Sequence, residues 1–212
     1  MPANRRLDLW CLEANNEQYT MRSAILLLVT LAFVRFDAVE VRLTNPSFED
    51  DPQDATTPTG WMPCAAGTTP DILPGSWGVY TRPSKGRTYM GLITRADGTH
   101  ESVGQRLAAP LDARECYSFS LDLAHSSTYS GYNAPIRLRI YGSRTRCAKD
   151  QLLAETATVS HTTWRTYDFT FTPAFDLNYI ILEAAFADGT TEYYRGNILL
   201  DNCSVIKQCD RA

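Results

Sequence analysis

The chain has 212 residues, 44% of them hydrophobic and 11% aromatic, with a formal net charge of −4. That composition supports one packed domain and argues against a disordered chain. A mildly acidic sequence without basic runs also argues against nucleic acid or an anionic membrane as partner.

The first 38 residues carry Arg5, Arg6, Arg22 and Arg35 against Asp8, Glu13, Glu17 and Asp37, so their removal leaves the net charge unchanged. Their apolar run, Ala24 to Val34, is far short of the ~20 residues a membrane helix needs and suits the hydrophobic region of a secretory signal. Read from Met1, Asp8, Glu13 and Glu17 spoil the basic region. Read from Met21, Arg22 leads straight into the apolar run, so Met21 is the expected true start and residues 1–20 an upstream extension. Cleavage after Ala38 gives a sensible length but sets Phe36 where a small residue is wanted, whereas Thr30-Leu31-Ala32 has the better chemistry and gives a short signal. No cysteine lies near either site, which argues against a lipid anchor. Residues 39–212 are then the exported domain.

Beyond the leader the apolar residues alternate with period two. Val39, Val41 and Leu43 open the series; Arg87–Thr94 and the Val103, Gln105, Leu107 run follow. Tyr117, Phe119, Leu121 and Leu123 alternate with Ser118, Ser120 and Asp122, and Ile136, Leu138 and Ile140 with Arg137 and Arg139. Leu152–Val159, Tyr167–Phe171, Tyr179–Phe186 and Asn197–Ile206 complete about nine strands, the pattern of an all-β antiparallel sandwich. The Pro, Thr and Gly-rich stretch Asp50–Pro83 reads as loop, with room for one short strand near Trp77–Tyr80. No repeat or second domain is visible.

Pairing Ala124 with Pro135 across the loop His125–Ala134 would set Asp122 opposite Arg137 and Ser120 opposite Arg139. The same register brings Cys116 towards Cys147. Cys64, Cys116, Cys147, Cys203 and Cys209 follow the leader, and none forms a C-x-x-C pair that would point to zinc. In an oxidising compartment two disulfides and one leftover thiol are expected. The register favours Cys116–Cys147, with Cys64–Cys209 second and Cys203 unpaired.

Several short segments carry a resemblance in order and spacing. They are Asn45-Pro46-Ser47-Phe48-Glu49, Gly60-Trp61, Pro83-Ser84-Lys85-Gly86 before Thr88–Leu92, Cys116-Tyr117-Ser118-Phe119, Trp164 to Phe171, and Leu199-Leu200-Asp201-Asn202. Over roughly residues 39 to 206 the chain resembles the carbohydrate-binding modules attached to cellulases and xylanases, of the galactose-binding-like jelly-roll superfamily. Thr69-Pro70-Asp71-Ile72 and Asp97 to Glu101 depart from those modules. The resemblance implies a jelly roll, a core packed on Trp61 and Trp164, and a structural calcium held by Glu49 and Asp201 with backbone carbonyls near Ser84 and Arg87.

Trp77, Tyr80, Tyr129, Tyr132, Tyr193 and Tyr194 lie in or beside loops, where an exposed ring offers a flat face to the CH-rich side of a sugar. Tyr129, Tyr132 and Asn133, with Arg137 and Arg139 on the adjoining strand, are the expected ligand-binding group, with Trp77 and Tyr80 as a further segment. No nucleophile elbow, phosphate loop or zinc-protease helix is present. His100, His125 and His161 fall on separate loops, and nothing singles out Glu101 and Asp122 as a glycosidase pair. The expectation is a secreted or cell-surface, non-catalytic module, at most accessory to a carbohydrate-active enzyme, whose partner is a glycan. The alternatives are an adhesion or protein-interaction module binding a surface protein, and then a small glycoside hydrolase.

Overall fold

The computed structural model describes residues 39–210; the proposed leader lies outside them. The described residues contain thirteen strands and no helix. In chain order these are β1 (Glu40–Val41), β2 (Met62–Pro63), β3 (Asp71–Leu73), β4 (Tyr89–Thr94), β5 (Ser102–Leu111), β6 (Tyr117–Ala124) and β7 (Ala134–Pro135). They continue as β8 (Arg137–Ser143), β9 (Gln151–Glu155), β10 (Arg165–Phe171), β11 (Leu177–Ala185), β12 (Gly196–Asp201) and β13 (Ile206–Gln208). The expected strands are present. The stretch expected to hold one strand near Trp77–Tyr80 holds β2 and β3 instead, and Trp77 sits in a turn with φ 54°.

Two sheets form the jelly-roll sandwich. The larger, eight-stranded sheet runs β1-β13-β6-β12-β4-β3, with β10 on the other edge of β6 and β7 beside β12. Because β12 pairs the C-terminal half of β6 and β13 its N-terminal half, the two act as one lane interrupted at Asn202–Val205. The five-stranded sheet runs β2-β5-β11-β8-β9. Inner-face residues Leu92, Phe119, Leu121, Leu123, Leu138, Ile140, Ile180, Leu182 and Leu200 interlock in a buried core. Burying such a side chain contributes roughly 1.5–3 kcal/mol, so in the strands that alternate, such as β6 and β8, the apolar phase turns inward.

Two early motifs earn their place by packing. Asn45 grips its own turn: its side chain accepts the Glu49 amide at 2.7 Å and donates to the Thr59 carbonyl at 3.1 Å. The Trp61 indole donates to the Asn45 carbonyl, and its ring lies 5.1 Å from Phe48. Trp61 is therefore a core residue, as the resemblance implied. Trp164 is structural too, but it packs on a second, outer cluster.

The proposed β6–β8 hairpin is not formed. β6 belongs to the larger sheet and Asp122 pairs Thr166 and Asp201; β8 belongs to the other, where Arg139 pairs Glu183 and Glu155. The chain changes sheets at Pro135 and Arg137, just after β7 has paired β12. The disulfides follow from that crossing. Cys116 bonds Cys209, and Cys64 bonds Cys147, in place of the expected Cys116–Cys147 and Cys64–Cys209. Cys203 is the free, buried thiol. Cys116–Cys209 closes the β13 lane onto β6, where the Cys209 amide also donates to the Cys116 carbonyl at 2.8 Å.

Candidate functional site

The outer face of the larger sheet carries a second, smaller core. Tyr89 and Ile93 from β4, Leu199 from β12, Ala124 from β6 and Leu73 from β3 are apolar on this side as well. Two loops cover them, inserting Val79 and Tyr129, with Tyr132 and Trp164 at the margin. The loops are stitched together: the Ser130 amide donates to the Trp77 carbonyl at 2.9 Å and the Thr128 hydroxyl to the Gly78 carbonyl at 2.8 Å.

Tyr129 therefore departs from its expected role. It is 1% exposed, and its hydroxyl donates to Asp71, which also accepts the Ala55 amide and the Trp77 indole N–H. Burial raises the pKa of Asp71, and these donors partly offset it. Tyr132 packs beside Tyr129 under the Arg195 guanidinium, and the Asn133 carbonyl meets His125 at 2.8 Å. Neither shares a face with Arg137 or Arg139, so the expected five-residue group is split between two sheets. Trp77 and Tyr80 do stand out from the cap, 46% and 74% exposed.

Lower on the same face, the loop Ser84–Thr88 closes over three carboxylates. Glu49 accepts the Arg87 amide at 2.9 Å, Asp201 the Lys85 amide at 2.8 Å, and Asp122 the Ser84 hydroxyl at 2.5 Å. Gly86 has φ 68°, and a Cβ there would fall 1.8 Å from Glu49 Oε1, so the turn demands glycine. Burial pushes Asp201 up to about 6, and the neighbouring Glu49 carboxylate adds to the rise. Glu49 and Asp201 offer the hard carboxylate oxygens that the implied calcium favours, and in this structure main-chain amides engage both. Among the described residues no three His, Cys, Asp or Glu side chains converge on a metal position. Calcium held by Glu49 and Asp201 would therefore draw further oxygens from the main chain near Ser84 and Arg87 and from water.

The outer face of the five-stranded sheet is polar and partly open. Arg137 and Arg139 on β8 pair with Ala185 and Glu183 on β11, and Glu183 pairs with Ser102 on β5. Glu183 takes a hydrogen bond from His100 Nε2 at 3.2 Å and forms an ion pair with Lys149. Burial favours its neutral form, but these two partners outweigh that and hold its carboxyl below the usual range. Arg139 bonds Glu155 at 3.2 Å; Arg137, nearly buried, holds Asp188 at 2.7 Å and donates to the Phe186 carbonyl at 2.9 Å. Around this floor the turn Phe186–Thr190 and Tyr193 complete a pocket of about 280 Å³. Tyr193 is 60% exposed and rests its ring 5.0 Å from Phe186.

Sequence reading found Arg137 and Arg139 but missed His100, Glu183 and Asp188 as their neighbours. The lone acid in the apolar run of β11 was the signal available for Glu183. The acids weighed for hydrolysis have structural partners: Glu101 bonds Arg95 at 2.7 Å, and Asp122 also accepts from Thr166 and Asn202.

No model of a known protein family matches the sequence, and neither does any curated protein. Solved structures do. The K3 adhesin domain of Lys-gingipain from Porphyromonas gingivalis is 16% identical, with 81% of this chain and 99% of that one covered, at a TM-score of 0.52. Its K1 adhesin domain gives 16%, 82% and 99%, at 0.51. The CBM22-1 and GH10 modules of a Clostridium thermocellum xylanase, solved with xylohexaose, are 13% identical at a TM-score of 0.50, with 82% of this chain and 29% of that longer chain covered. The fold is thus the β-sandwich found in carbohydrate-binding modules and adhesin domains.

Proposed function

We propose that this chain is a non-catalytic carbohydrate-binding module of an exported or surface protein, and that its ligand lies on the outer face of the five-stranded sheet. The observation that carries the reading is Tyr193, an exposed ring at the rim of a pocket floored by Arg139, Glu183 and His100. Such a ring stacks on a sugar's CH face while charged and imidazole groups bond its hydroxyls. The fold shared with a xylan-degrading enzyme's modules and the two disulfides support the binding and export parts. The structural engagement of Glu101 and Asp122 supports a non-catalytic reading. Calcium at Glu49 and Asp201 is the proposed stabiliser of the opposite face.

The test is a glycan panel probed with wild type and Tyr193→Ala. The variant should lose threefold to tenfold in affinity, the equivalent of ~0.5–1.5 kcal/mol for one stacked ring, with its fold intact. Wild-type binding by the variant would move the site elsewhere. A second reading, a protein-binding adhesion module, is favoured by one feature: Trp77 and Tyr80 stand exposed on the capped face of a fold shared with adhesin domains. Failure of any glycan to bind, together with capture of a surface protein lost in Trp77→Ala, would select it.

A further inference from the structure

The outer face of the five-stranded sheet is not an open trough, because the loop Arg144–Asp150 between β8 and β9 folds back across it. Three observations fix its path. Cys147 in this loop bonds Cys64, which follows β2 beyond the far side of β5, with Cα atoms 5.0 Å apart. The bridge passes directly over β5, for a Cβ on Gly104 would meet Cys64 Sγ at 2.7 Å. Ile181, in register between Gly104 and Tyr141 and outside the main core, is nonetheless completely buried. The loop then sets Lys149 on Glu183, in the floor of the pocket, with its ammonium 5.9 Å from the Tyr141 ring.

The face is therefore cut in two along β11. One half, around Gly104 and Ile181, lies under the loop and its disulfide. The other half is the pocket, bounded by Phe186–Thr190 with Tyr193 at the end of the sheet, and Lys149 reaches Glu183 in its floor from the side of the loop. A site for the interior of a polysaccharide must let the chain run out at both ends. This one does not. Its volume of about 280 Å³ lies at the small end of the ~300–1,000 Å³ usual for ligand pockets.

Resting on the carbohydrate reading above, we propose that the pocket accepts the end of a glycan, one or two terminal sugar residues, and excludes internal segments, because the Cys64–Cys147 loop blocks the face. Tyr193 stacks on the terminal ring, and Arg139, His100 and Glu183 bond its hydroxyls.

The experiment is a calorimetric titration of the intact chain with xylo-, cello- and manno-oligosaccharide ladders, from mono- to hexasaccharide, beside the parent polymers. The expected result is an affinity that stops rising at the disaccharide, with polymers binding only in proportion to their chain ends. Affinity that climbs about tenfold or more from di- to hexasaccharide would overturn the chain-end inference and leave carbohydrate binding standing. Absence of binding across every ladder would overturn both. Lys149→Ala, which removes the loop's contact with Glu183 and spares the disulfide, should let the longer members gain severalfold over the disaccharide. A ladder that binds as in wild type would show that Lys149 is not the limit and overturn its assigned role.

Discussion

The two outer faces of the sandwich differ in what their strands present to the outside. On the larger sheet, Tyr89, Ile93 and Leu199 face outward, and a cap of two loops carrying Val79 and Tyr129 seals them. On the five-stranded sheet the outward positions include Arg137, Arg139 and Glu183; one half is covered by a disulfide-fastened loop and the other is left open beneath Tyr193. A loop tyrosine is thus a plug or a platform according to the strand residues beneath it. Apolar ones need covering, and the ring is spent on that. Charged ones satisfy each other, and the ring stays free.

The largest effect should separate the two tyrosines in stability. Tyr129→Ala empties a packed site and leaves Asp71 buried without its phenolic donor, so about 3–5 kcal/mol should be lost in urea unfolding. Tyr193→Ala should change stability by no more than ~0.5 kcal/mol, being a surface substitution. Similar losses in the two variants would erase the contrast between cap and pocket.

A smaller effect concerns the metal proposed for the capped face. If calcium bridges Glu49 and Asp201, wild type with the ion at about a hundred times its Kd gains ~2.7 kcal/mol, which chelator removes. Melting temperature should fall on adding chelator, and Glu49→Gln should melt alike with and without it. Superimposable wild-type curves would remove calcium and leave that cluster held by its hydrogen bonds alone.

Much of this contrast was legible in the sequence. Strict alternation in Tyr117–Leu123 and Ile136–Ile140 marked one buried face, and the Arg137 and Arg139 positions fell on the polar face, as observed. Tyr89–Ile93 and Ile198–Leu200 are instead apolar in both phases, the mark of strands covered on both sides. That pattern could have warned that a nearby loop aromatic, Tyr129, would be consumed as cover. Strand partners were not legible. Pairing in a jelly roll joins residues far apart in sequence, such as Leu123 and Leu200, while the adjacent β6 and β8 part company at Pro135. The disulfide partners and the meeting of His100 with Glu183 depend on that topology, so local spacing misdirected the first and was silent on the second.

The most direct test of the central claim, that ligand lies on the five-stranded sheet, is amide chemical-shift mapping of the ¹⁵N-labelled chain titrated with the best-binding oligosaccharide of the ladders. The account predicts perturbations gathered at His100, Arg139, Glu183, Asp188 and Tyr193, with Trp77, Tyr80 and Tyr132 unmoved. Perturbations gathered at Trp77 and Tyr80, with the pocket residues still, would contradict it and move the site to the capped face.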